Sequence, residues 1–149
     1  MIDYEKAKEV RNLKTGFINN IGLVVTEMGP GYAVGEITLS EFHANPIGTI
    51  HGGVLFAIAD TIGGAATPAG GSWVTTVNGD IHFLNAANIG DKLIVESKAV
   101  KLGHQLAVVD IMIRTAEEKD IACATITYHY LGDKMPMPQI GDEEEETNG

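Results

Sequence analysis

The sequence predicts an α+β domain in which a curved antiparallel sheet wraps around one long apolar helix. Three features point to it. Residues 53–67 form a run that is apolar nearly all round, which a helix tolerates only when it is covered on most sides. After Trp73 the chain holds four runs rich in β-branched residues, separated by turn formers. Gly52, Gly53, Gly63 and Gly64 sit in or beside the helix, where each costs about 1 kcal/mol against alanine. Close approach of another backbone is the expected compensation. One helix and one sheet are then available to cover each other.

Each element follows in order. Residues 3–19 read as an amphipathic helix, with Tyr4, Ala7, Val10, Leu13 and Phe17 roughly at helical spacing and Gly16 and Asn19-Asn20 punctuating its end. The stretch 21–40 reads as two short strands joined across Gly29-Pro30-Gly31. Residues 41–50 hold Pro, Gly and Asn without periodicity and read as a loop. The apolar helix spans about 53–67. Four strands then start at Val74, Asp91, Gln105 and Ile121. In the second of them Leu93, Val95, Ser97 and Ala99 oppose Ile94, Glu96, Lys98 and Val100, the alternation of a sheet with one wetter face. A single domain over 1–138 is expected, followed by an acidic, disordered tail over 139–149.

Composition narrows the function. The chain has 149 residues and a formal charge of −10, of which Asp142 and Glu143 to Glu146 supply five charges. An acidic body argues against a nucleic-acid surface, which needs clustered Lys and Arg. The one cysteine, Cys123, excludes an intrachain disulfide and fits a reducing compartment. The N-terminus carries acids and no apolar signal core, and the apolar stretch 50–66 is too short and too Gly-rich to span a membrane. A cytoplasmic protein without a membrane partner is expected.

The chemistry-bearing residues cluster around the central helix. At Gly52-Gly53 a loop becomes a helix N-terminus, where free N–H groups and the positive end of the macrodipole favour an oxyanion. Easing a tight loop-helix junction is the alternative reading of the same two glycines. Asp60 is the only charge between His51 and Asp80. It reads either as a structural carboxylate bonded to a neighbour or as a desolvated general base or nucleophile, and its company with an anion-ready helix start favours the second. His51 has no Ser or Cys nucleophile partner; it is an acid or base, or it positions the turn. His43, His82, His104 and His129 are scattered without metal-ligand spacing, so no metal is expected. No phosphate-binding loop, dinucleotide fingerprint or Gly-x-Ser-x-Gly elbow is present, so no cofactor is expected.

The stretch "NPIGTIHGG" followed by Asp60 in a Gly/Ala-rich helix resembles the hotdog-fold acyl-CoA thioesterases of the phenylacetate-degradation type. The later "FLNAANIGDKLIVESKAVKLGHQLAVVDIMI" is similar to that family's strand region, with its Phe-Leu, Gly-Asp and Gly-x-x-Leu landmarks. The resemblance runs from about Gly22 to Leu131. It implies hydrolysis of an acyl-CoA or aryl-acyl-CoA to free acid and CoA, without metal or cofactor. Asp60 is then general base or nucleophile, the Gly52 N–H polarises the carbonyl, Asn45 orients carbonyl or water, and His51 shapes the turn. Substrate contacts extend to Gly53, Asn78, Gly79, Gly103 and His104. Asn78 stands at about the position where family members place a Ser or Thr beside the carboxylate. His104 and Gln105 replace the basic residues that meet CoA phosphates, leaving Lys98, Lys101 and Arg114 as candidates. A non-catalytic acyl-CoA-binding regulatory domain and a hydratase on acyl thioesters are the alternatives. Gly52 and Asp60 are eight residues apart, roughly 12 Å along a helix. One thioester therefore needs Asn45 and Gly52 from one subunit and Asp60 from another, and a homodimer or dimer of dimers with shared sites is expected.

Overall fold

The computed structural model describes residues 3–67 and 73–131. Helices α1 (Tyr4–Arg11) and α2 (Gly16–Ile21) lead into the hairpin β1 (Val24–Gly29) and β2 (Tyr32–Thr38). A short 3-10 turn at Glu41–His43 precedes α3 (Gly52–Ala66). Strands β3 (Val74–Phe83), β4 (Lys92–Leu102), β5 (Leu106–Thr115) and β6 (Asp120–Tyr130) complete the fold. The six strands form one antiparallel sheet in the order β1-β2-β4-β5-β6-β3. Among the described residues no helix is long and apolar enough to cross a membrane. The acidic tail predicted over 139–149 lies outside the described residues.

Helix α3 packs along the sheet's inner face. Leu55, Ile58, Ala59 and Ile62 share a buried core with Ile37, Leu93, Val95, Val109, Ile113 and Ile126. The alternation predicted for the second long strand is present in β4: Leu93, Val95 and Ser97 are buried, whereas Glu96 and Lys98 are exposed. Ser97 faces a helix backbone, and its hydroxyl lies 2.9 Å from the Ile62 carbonyl and 3.1 Å from that of Ala33. That satisfies a buried polar group which would otherwise cost free energy.

Two expectations are corrected. The single helix predicted over 3–19 is two helices, because Asn12 leaves the helical path to cap α1 and bonds across to β1. Its side chain donates to the Val25 carbonyl and accepts from the Val25 N–H, both at 2.8 Å. Gly16 then starts α2 at φ +83°, a conformation a side chain disfavours. The second correction concerns the helix glycines: what approaches Gly63 is a side chain rather than a backbone. A Cβ there would overlap the Tyr128 hydroxyl and stand 3.0 Å from Ile111 Cδ1.

Candidate active site

The start of α3 is built by its own loop. Asn45 Oδ1 accepts from the N–H groups of Ile47 (3.1 Å) and Thr49 (3.2 Å), while Nδ2 donates to Thr49 Oγ1 at 2.7 Å. The Asn45 oxygen is thus committed to the loop, and one amide hydrogen is left for a ligand. His43 is a buried histidine with both ring nitrogens used, Nδ1 accepting from the Ser40 N–H and Nε2 donating to the Ile21 carbonyl. It ties this loop to the end of α2 and has no free nitrogen for chemistry.

His51 is the N-cap of α3. Its Nδ1 accepts the Gly53 N–H at 2.7 Å, which puts the ring proton on Nε2. The imidazole therefore shapes the turn, and it occupies the N–H that Gly53 was expected to offer a substrate. Val54 donates back to the His51 carbonyl at 3.0 Å. The Gly52 N–H is bonded to no acceptor among the described residues. Gly52 stands at the positive end of the helix, and the Phe83 ring lies close to it: its Cζ would be 3.2 Å from a Cβ at position 52.

Two turns further on, Asp60 is half-buried in the single chain rather than sealed from water. Its Oδ1 accepts a 2.6 Å hydrogen bond from Thr76 Oγ1 on β3, the short distance of a charge-assisted bond. Its main-chain carbonyl accepts a 2.7 Å bond from the phenol of Tyr128 on β6. Burial pushes the Tyr128 phenol far above its ordinary range, and the charge of the nearby Asp60 carboxylate pushes it the same way. The phenol therefore stays protonated and remains a donor.

Asn78 is not the hydroxyl-bearing neighbour's replacement. A bulge between Thr76 and Asn78 changes the parity of β3, so that Thr76 pairs with Tyr128 and Gly79 with Ile126 on the inner face. Asn78 pairs with Thr127 and so lies on the opposite face from Thr76 and Gly79. Gly79 lies under Phe56, whose Cζ would stand 2.6 Å from a Cβ at position 79. Gly103 and exposed His104 sit in the β4–β5 turn, where the Gly103 N–H is taken by the Leu106 carbonyl; no hydrogen bond joins them to Asp60. Of the cations, Arg114 is paired with Asp120 at 2.8 Å. Among the described residues no group of three or more His, Cys, Asp and Glu side chains is placed to hold a metal ion.

Helix α3 runs antiparallel to β3 in three steps: Gly52 against Phe83, Phe56 against Gly79, Asp60 against Thr76. The unbonded N–H and the carboxylate thus lie at opposite ends of an edge strand. Sequence reasoning missed Thr76, although the Thr75-Thr76 pair in "VTTVNGD" carries the hydroxyl two residues before Asn78. It also missed Tyr128, for which no local signal exists.

A long helix wrapped by a six-stranded antiparallel sheet, with this loop at its start, is the hotdog fold of thioesterases. The model of the Thioesterase superfamily matches residues 47–122, and the chain belongs to that superfamily. A putative esterase of Archaeoglobus fulgidus is 30% identical over 112 residues, 75% of this chain and 73% of that protein. The acyl-coenzyme A thioesterase PaaI of Escherichia coli is also 30% identical over 112 residues, 75% of this chain and 80% of its own. The solved structure of PaaI superposes with a TM-score of 0.76 at 28% identity, covering 80% of this chain and 86% of that one. A hypothetical thioesterase protein of Streptococcus pneumoniae, solved with coenzyme A, superposes at 0.72 and 26% identity over 76% of this chain and 89% of that one. Two further structures of a hypothetical thioesterase protein from that organism carry alanine in place of an aspartate and of a threonine sixteen positions later.

Proposed function

We propose that the chain hydrolyses an acyl-CoA or aryl-acyl-CoA to the free acid and coenzyme A, at two sites shared across a homodimer. The observation that carries this reading is the run of α3 along edge strand β3. It puts the unbonded Gly52 N–H at one end and the Asp60–Thr76 pair at the other. A two-fold axis through the middle of β3 exchanges those ends, so that Gly52 and Asn45 of one subunit meet Asp60 of its partner. β3 is a long strand on the sheet's edge with exposed Val77 and Phe83, a surface suited to pairing with another copy. The same pairing covers the half-buried carboxylate. The relatives support the substrate class, since one is an acyl-coenzyme A thioesterase and another was solved with coenzyme A. The aspartate and threonine replaced in the pneumococcal structures have the same separation as Asp60 and Thr76.

In this reading Asp60, ionised, takes a proton from water as the water oxygen bonds to the thioester carbon, or it attacks that carbon itself and forms a mixed anhydride, which water hydrolyses to the free acid after the thiolate has left. The Gly52 N–H stabilises the oxyanion, the C–S bond breaks, and the thiolate leaves to be protonated. His51 holds the helix start and Thr76 holds the carboxylate. The protein works in the cytoplasm without a metal or cofactor.

The test is thiol release from a panel of short, long and aromatic acyl-CoAs, with Asp60→Asn beside the wild type. Turnover that falls about a hundredfold or more in the variant supports the assignment. Subunit exchange between an Asp60→Asn chain and a chain disabled at Asn45 should restore part of the activity through one intact site per mixed dimer. Binding of acyl-CoA without turnover, or an active monomer, overturns the reading.

A further inference from the structure

Tyr128 is 2% exposed, comes from β6, and meets α3 at the residue that carries the carboxylate. The phenol donates to the Asp60 carbonyl from outside the helix, a hydrogen bond that the regular i to i+4 pattern of an α-helix does not supply. The phenol fits because Gly63 has no side chain: a Cβ there would overlap its oxygen. Thr76 and Tyr128 are paired positions on neighbouring strands and rise from one face of the sheet. One holds the Asp60 carboxylate and the other the Asp60 backbone. Apart from the Ser97 bond at Ile62 and a longer Arg11 bond at Gly64, the rest of the α3 seat is apolar contact, which is non-directional.

We propose that Tyr128 is a positioning residue for Asp60, its phenol fixing the turn of α3 that carries the carboxylate through the gap left at Gly63. This rests on the reading of Asp60 as the reacting group. Proton transfer and attack both need the carboxylate within a few tenths of an ångström of its working place, and a misplacement of about 1 Å costs on the order of a hundredfold. Thr76 tethers only the end of the side chain, and the other polar ties to this stretch of α3, from Ser97 and Arg11, reach it at Ile62 and Gly64 rather than at residue 60.

The experiment compares Tyr128→Phe, Gly63→Ala and Asp60→Asn in the acyl-CoA hydrolysis assay, well below each melting temperature. Tyr128→Phe should lower kcat about tenfold or more with KM within about twofold, the pattern of lost alignment rather than lost binding. Gly63→Ala keeps the phenol but displaces it, and should lower kcat similarly. Tyr128→Phe combined with Gly63→Ala should melt above Gly63→Ala alone, because the new methyl occupies the space of the missing oxygen. Incorporating p-aminophenylalanine at position 128, which restores a donor, should recover most of kcat. A purely structural Tyr128 would lower the melting temperature and leave kcat unchanged. Unchanged kcat in Tyr128→Phe, a loss confined to KM, or no recovery with the amino analogue overturns the inference. If Tyr128→Phe does not fold, wild-type kcat in Gly63→Ala overturns it. Should Asp60→Asn be inactive in the same assay, the role of Asp60 survives that failure; should it turn over normally, both readings fall.

Discussion

The Thr76 hydroxyl offers the sharpest single-atom test of the site. Thr76→Val keeps the β-branch and the shape on an edge strand where the side chain is exposed in the single chain, so the fold should persist. What is lost is one 2.6 Å hydrogen bond to Asp60 Oδ1. A hydrogen bond to a charged group is worth about 1.5–3 kcal/mol, and the exposure of Thr76 points to the low end of that range. At about 1.5 kcal/mol the expected fall in kcat is roughly tenfold; burial of the pair in a dimer would raise it. Thr76→Ser retains the donor and should stay within about threefold of wild type. Thiol release at saturating acyl-CoA measures both, and the melting curve checks the fold. In an Asp60→Asn background Thr76→Val should add almost nothing, since both changes remove the same interaction. A Val variant with wild-type kcat, or a Ser variant as slow as Val, would refute the claim that Thr76 holds the working carboxylate.

Two further predictions concern how the helix is seated. Gly35→Ala places a Cβ where it would overlap Ile62 Cδ1, with the Val24 carbonyl 3.2 Å away. It should destabilise by about 1–3 kcal/mol, and Ile62→Val, which removes that Cδ1, should recover part of the lost melting temperature; no recovery would place the strain elsewhere. The Tyr128 phenol has its folded pKa raised by burial, with the nearby Asp60 charge adding to it. Its contribution is therefore fully present below the unfolded value of about 10 and is lost as pH rises beyond it. The melting-temperature gap between wild type and Tyr128→Phe should narrow from about pH 8 to pH 11, and a constant gap would show that the phenol is not buried in the folded chain.

The sequence by itself determined the order of the strands and the central helix, that helix to within a residue at either end, and the candidacy of Asp60 and Gly52. These are properties of single segments: hydrophobic period, turn chemistry and an isolated charge are all written within a dozen or so neighbouring residues. Only the tertiary structure decided what touches Asp60. The bulge at Val77 reverses the parity of β3 and exchanges Asn78 for Thr76, a shift that counting along the strand cannot reveal. Tyr128 lies 68 residues from Asp60 and reaches it only because β6 lies between β5 and β3. Asn12 breaks the first helix because Val25, thirteen residues on, offers its amide a better partner than another helical turn does. Gly63 gives no sign in the sequence of which neighbour its missing side chain admits. In each case the deciding contact joins segments far apart in the chain, and which segments meet is set by burying the whole apolar face of α3 at once, a global condition that no local pattern contains.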